Sequence, residues 1–156
     1  MRTIIRICFV FMFALAASQL FADSGLDKIK SLVGEWEATT PEGPTTVRYE
    51  LISNGTAVEE RLGIHNEEMV SIYHMNGDKL MMTHYCSFNN QPRMEAAVDG
   101  DTITFHYVDA TNLPNESTPH ITGLVLNFKD ADHFSEQWSN SAPDHKAPIL
   151  NFQRKK

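Results

Sequence analysis

Apolar and polar residues alternate with a period of two through most of this chain, in short runs that stop at tight-turn residues. Successive side chains of an extended strand point to opposite faces, so each such run has one face for a core and one for solvent. Residues 46–51 show the pattern cleanly, with Val47, Tyr49 and Leu51 between Thr46, Arg48 and Glu50. Asn54-Gly55 follows, a pair that tolerates positive φ and marks a hairpin. The return run, 57–62, turns Val58 and Leu62 inward. Further runs at 69–75 and 79–86 flank Asn76-Gly77-Asp78, and those at 93–98 and 102–109 flank Asp99-Gly100-Asp101. Runs at 121–128 and 134–139 flank residues 129–132, and 149–153 closes the chain. With a strand opening at Trp36, about ten short strands result, evenly spaced and joined mostly by tight turns. The expected fold is all-β, an antiparallel up-and-down barrel of about ten strands.

One segment departs from this period. Leu26, Ile29, Leu32 and Val33 recur at helical spacing, and Gly34 follows where a helix commonly ends. A short N-terminal helix is therefore expected to plug or flank one end of the barrel. The long connection at 110–120 holds Asn112, Pro114, Asn115 and Pro119 and is expected to be a loop.

The first residues read as an export signal. Arg2 and Arg6 precede an apolar run at 7–17, and the segment ends Gln19-Leu20-Phe21-Ala22. The run is well short of the ~20 apolar residues that span a bilayer. The expectation is a signal peptide at 1–22 and one domain at 23–156, exported to a periplasmic or secreted location. Loss of Arg2 and Arg6 leaves 11 basic residues against 20 acidic ones, a net charge of −9. A surface so acidic repels phosphate backbones, and no nucleic-acid partner or membrane insertion after cleavage is expected. Loss of Cys8 leaves Cys86 alone, so no intramolecular disulfide can form.

The helix followed by Gly34-Glu35-Trp36 and a strand meander resembles the start of lipocalins and fatty-acid-binding proteins. In lipocalins that Trp closes the barrel base beneath an Arg of the last strand, and Arg154 stands in the corresponding place. A second resemblance runs through the middle of the chain: Tyr73-His74, Gly77-Asp78, Thr83-His84-Tyr85-Cys86, Asn90-Gln91-Pro92-Arg93-Met94 and Thr111-Asn112-Leu113. With Asp132-His133 and Trp138, these resemble an uncharacterised bacterial family of small exported proteins carrying a calycin-like domain of unknown function. The resemblance implies a calycin-like barrel and export, and supplies no activity. That family has a second His two residues after His120, where this chain has Thr122.

Seven histidines raise the question of a metal. If the apolar faces Val70-Ile72-His74 and Leu80-Met82-His84 pair across a three-residue turn, His74 faces Leu80 and His84 faces Val70. The two imidazoles are then ~13 Å apart, too far to share an ion with bonds of about 2 Å. No metal site is expected. His84 and Cys86 share one face ~6.6 Å apart, with Gln91 and Arg93 close behind at the same barrel end. They read either as buried core residues or as a polar cluster that anchors a ligand. A thiolate on Cys86, favoured by His84 and Arg93, is a further alternative. Arg93 either pairs with Glu95 or Glu60 or clamps a ligand carboxylate. Met94, Ala96 and Val98 compete with it for the inner face. His120 ends the long loop as a candidate lid residue, and His74 is the remaining wall histidine.

No phosphate loop, nucleophile elbow, catalytic carboxylate pair or Cys-pair zinc motif is present, and no catalytic residue is assigned. Barrels of this size have interior room for one small ligand. The expected function is binding a small, mostly apolar molecule, with His84, Cys86, Gln91, Arg93, His74 and His120 as candidate contacts. Two alternatives stand beside it. One is haem held by His84 or His74, as in the calycin-like nitrobindins, although the Gly-rich opening of those proteins is missing here. The other is an envelope interaction or structural role with a filled interior and an exposed apolar patch.

Overall fold

The computed structural model describes residues 25–41, 43–64, 67–142 and 148–156. The signal peptide expected at 1–22, and His65 and His145, lie outside the described residues. The chain forms one short helix and ten antiparallel strands that close into a barrel. The helix is α1 (Gly25–Lys30). The strands are β1 (Gly34–Thr40), β2 (Gly43–Ile52), β3 (Ala57–Ile64), β4 (Glu67–Asn76) and β5 (Lys79–Tyr85), then β6 (Gln91–Asp99), β7 (Thr102–Thr111), β8 (Ile121–Asp130), β9 (His133–Asn140) and β10 (Ile149–Arg154). Each strand pairs with its chain neighbours, and β1 closes the ring on β10. Closure leaves no free edge among the described strands.

One end of the barrel is plugged. Leu26 and Ile29 of α1, with Leu32 just beyond it, are buried against the ends of the strands. Val33 is 37% exposed and takes no part in the plug. Trp36 is buried at the start of β1, with its Nε1 donating to the Leu32 carbonyl at 2.7 Å. Arg154, its register partner on β10, lies over the indole with the guanidinium carbon 4.0 Å from the ring centroid. That guanidinium also donates to the carbonyls of Ser31, Val33 and Ala131 at 2.9–3.1 Å. The helix stops at Lys30, ahead of the glycine expected to end it. Gly34 instead opens β1 at φ +132, and a Cβ there would stand 2.9 Å from Arg154 Nη1. The glycine is thus required where the backbone passes close to the Arg that covers Trp36.

Above the plug, aromatic rings fill the interior. Phe134 meets Trp36 edge-on at 4.8 Å between centroids and stacks on Phe152 at 5.0 Å. Tyr49, Tyr73 and Phe105 continue the column at centroid spacings of 5.5–6.4 Å.

The β4–β5 hairpin corrects the expected register. Asn76 pairs with Lys79 across a two-residue turn, so His74 faces Met81 and His84 faces Ser71. Gly77, at φ +64, supplies the positive φ that the first central position of a tight II′ turn requires. Shortening the turn by one residue exchanges the faces of β4. Ser71 and Tyr73 point inward and His74 outward, because the two hydroxyls find buried partners.

Candidate functional site

The barrel end opposite the plug holds a cavity of about 210 Å³. Its walls include Leu62, Met69, Ile121 and Leu150, which are the inward residues at the upper ends of β3, β4, β8 and β10. Phe88, in the turn after β5, stands at its rim and is 40% exposed. His84 and Trp138 also line it, with their rings 4.7 Å apart. No Asp, Glu, Lys or Arg is among the described residues that line it.

Between cavity and aromatic column lies a buried polar layer. Tyr49, Glu60, Ser71 and His84 are successive register partners across β2, β3, β4 and β5, and all are buried. Glu136 on β9 reaches this layer from the far wall. Tyr49 donates its hydroxyl proton to Glu136 Oε1 at 2.7 Å, and Trp138 Nε1 donates to Oε2 at 3.0 Å. Tyr73 donates to Glu60 Oε2. Ser71 Oγ and His84 Nδ1 share a hydrogen bond at 3.0 Å. Glu60 Oε1 and His84 Nε2 have no hydrogen-bond partner among the described residues.

Burial controls the charges of this layer. It pushes Glu60 well above the usual carboxylate range, and the nearby charge of Glu136 adds to the effect. Burial lifts Glu136 to about 7, against the opposing hydrogen bonds from Tyr49 and Trp138. It lowers His84 to about 4, so the imidazole is neutral at physiological pH.

The residues singled out in the sequence do not all meet here. His84 and Cys86 line the cavity together. Burial raises the Cys86 thiol instead of lowering it, which argues against a thiolate. Arg93 is corrected outright. It pairs in register with Thr83, on the face away from His84, and forms a two-pronged ion pair with Asp109. The complete burial of Met94 explains this, since β6 alternates and Met94 claims the inner face. Gln91 likewise lies off the cavity, accepting a hydrogen bond from the Thr111 hydroxyl at 2.8 Å. His74 sits on an open groove beside α1 at the plugged end, with Lys30 and Ile52. His120 is buried beside the cavity but faces away from it. Its ring packs on Tyr107 at 5.0 Å, and Nδ1 meets the Thr118 carbonyl at 2.8 Å, while the adjacent Ile121 faces in. Asn90 fastens the turn after β5 to the long loop through the Pro119 carbonyl at 2.8 Å.

The reading by residue type missed Glu60, Glu136, Tyr73 and Trp138. The signal was present in the alternation: Glu60 stands between inward Val58 and Leu62, and Glu136 between inward Phe134 and Trp138. Among the described residues, no group of three or more His, Cys, Asp or Glu side chains is placed to hold a metal ion.

No family model matches this chain, and no curated protein matches it. Among solved structures, it is similar to Rv2717c from M. tuberculosis, with 13% sequence identity and a TM-score of 0.50. The alignment covers 84% of this chain and 97% of that one. At that identity the likeness concerns the fold alone: the two proteins share a chain path.

Proposed function

We propose that this protein is an exported barrel that binds one small, mostly apolar molecule in the cavity at its unplugged end. The observation that carries the reading is the contrast between the two ends. One end is sealed by α1, Trp36 and Arg154, while the other keeps about 210 Å³ of space walled mostly by apolar surface. Packed interiors leave few voids larger than a water molecule. An apolar cavity of about 150 Å³ stays dry and takes up benzene, so this one suits a ligand somewhat larger than a single bare ring. The apolar walls supply affinity, and the polar side chains among them, Thr45, His84, Ser87 and Asn140, supply contacts that orient the guest.

Haem is a poor fit to this space. Drug-sized ligands occupy cavities of about 300–1,000 Å³, and haem is larger than most of them. The interior of about 210 Å³ would have to rearrange to admit it. A purely structural barrel is less well supported, because it calls for a filled interior.

The test is native mass spectrometry of the protein purified from its own source. A retained small molecule that is lost on denaturation is the expected result. A bare polypeptide mass that small aromatic compounds leave unchanged would overturn the reading. The same spectrum reports the mature N-terminus, expected at Asp23.

A further inference from the structure

We infer that the outer face of β4 and β5 is the surface on which two copies of this chain associate, whatever the cavity holds. The parity of β4 that turns Ser71 and Tyr73 inward leaves Val70, Ile72 and His74 facing out. They stand in register with Tyr85, Thr83 and Met81 of β5, which alternate outward with them. Tyr85 is 51% exposed, while Val70, Ile72 and Met81 are partly exposed and lie outside the core cluster. On β1 and β2, by contrast, the outward positions include Glu35, Glu37, Arg48 and Glu50. Single apolar residues on a surface need no explanation, but a contiguous group with a charged rim marks an interaction site. Closure of the barrel removes edge pairing among the described strands, so association uses a face.

The rim determines which partner fits. On one side stand Glu59 and Arg61 of β3, paired at 2.6 Å. On the other stand Arg93 and Glu95 of β6, paired with Asp109 and Lys79 respectively. Register places Glu59, Ile72, Thr83 and Arg93 in one row across the four strands. Ala57, His74, Met81 and Glu95 form the next row.

Sheets that pack face to face keep their strands nearly aligned, and a two-fold pair presents the same patch from both copies. With the two-fold axis along the strands, between β4 and β5, each row lies over its own reversal. Glu59 then faces Arg93 of the second copy, and this contact is made twice. Val70 meets Tyr85, Ile72 meets Thr83 and His74 meets Met81, also twice each. No like charges oppose one another in these rows. An axis across the strands through the first row would instead set Glu59 on Glu59 and Arg93 on Arg93, a repulsive arrangement. Because Glu59 already pairs with Arg61 and Arg93 with Asp109, each new contact joins them into one chain of alternating charge. The face is complementary to itself in one orientation, with an apolar centre and a polar rim as in protein interfaces.

Sedimentation velocity of the purified protein between about 1 and 200 μM tests this, a range that reaches weak interfaces of ordinary size. The expected result is a monomer–dimer equilibrium with the dimer dominant at the upper end. Ile72→Glu sets a charge at the centre and should leave monomer alone. Tyr85→Lys makes the same test from β5 if Ile72→Glu does not fold. Arg93→Glu should weaken dimerisation by at least about tenfold, and adding Glu59→Arg should recover most of the loss. A wild type that stays monomeric throughout would overturn the inference, as would a dimer that Ile72→Glu and Tyr85→Lys leave intact. A dimer indifferent to both charge reversals would overturn the facing of Glu59 and Arg93.

Discussion

Glu60 and Glu136 sit in the interior of this barrel with phenols and an indole as partners, no cation among them. Such groups are tolerated in a core when they hold a proton or are well supplied with donors. Glu136 has a donor on each oxygen, whereas Glu60 has one oxygen bonded and the other bare. Burial and the repulsion of Glu136 hold the Glu60 carboxyl well above the usual carboxylate range. Trp36 is enclosed by Phe134, Arg154 and the end of the helix. Trp36→Ala should cost about 3–5 kcal/mol, the usual price for a buried large aromatic. Urea unfolding measures this, and a change within about 0.5 kcal/mol, as for surface positions, would mean that Trp36 does not seal the base.

At the scale of elements, the β4–β5 hairpin decides which side chains reach the cavity. Gly77 has open space where a Cβ would stand, so Gly77→Ala creates no clash. Its φ of +64 nevertheless disfavours any side chain. Gly77→Ala should destabilise the protein by about 1–2 kcal/mol through backbone conformation alone, measured by the shift of the denaturant midpoint at constant slope. No change would argue against the two-residue turn. This hairpin also marks the limit of what the sequence discloses. Strand number, antiparallel order and the inward His84-Cys86 face follow from period and turn chemistry, and the Trp36 base from the resemblance to lipocalins. The parity of β4 does not, because Asn76-Gly77-Asp78 admits turns of two or three residues, and one residue reverses every side chain. Apolar appearance favoured Val70, Ile72 and His74 as the inner row. Hydrogen bonds from Ser71 and Tyr73 to partners distant in sequence determined the opposite. Arg93 was legible, since Met94 claims the inner face of β6 by alternation and turns Arg93 outward.

For the whole molecule, the buried layer links stability to pH. Folded His84 titrates at about 4 against an ordinary 6.5, so between those values the folded state holds fewer protons and stability rises with pH. Glu136 acts in the opposite sense. Its folded value of about 7 against 4.5 gives stability that is fully present below pH 4.5 and lost as pH rises through about 7. Glu60 acts in the same direction as Glu136. From pH 4.5 to 6.5 the two trends oppose each other, and above 6.5 only the carboxylates remain. Stability should therefore fall by about 1–3 kcal/mol between pH 6.5 and 8. A Glu60→Gln/Glu136→Gln double variant should be nearly flat over that range. A flat wild-type profile would mean that these carboxylates are not buried together.

On the function proposed above, the mostly apolar cavity at the unplugged end accepts a small apolar guest beside His84. A crystal of the protein soaked with bromobenzene tests it most directly, because the bromine can be located by its anomalous signal. A bromine inside the barrel, bounded by Leu62, His84, Trp138 and Leu150, is the expected result. Bromine found only on the outer surface, or a cavity filled by side chains in the soaked crystal, would contradict it.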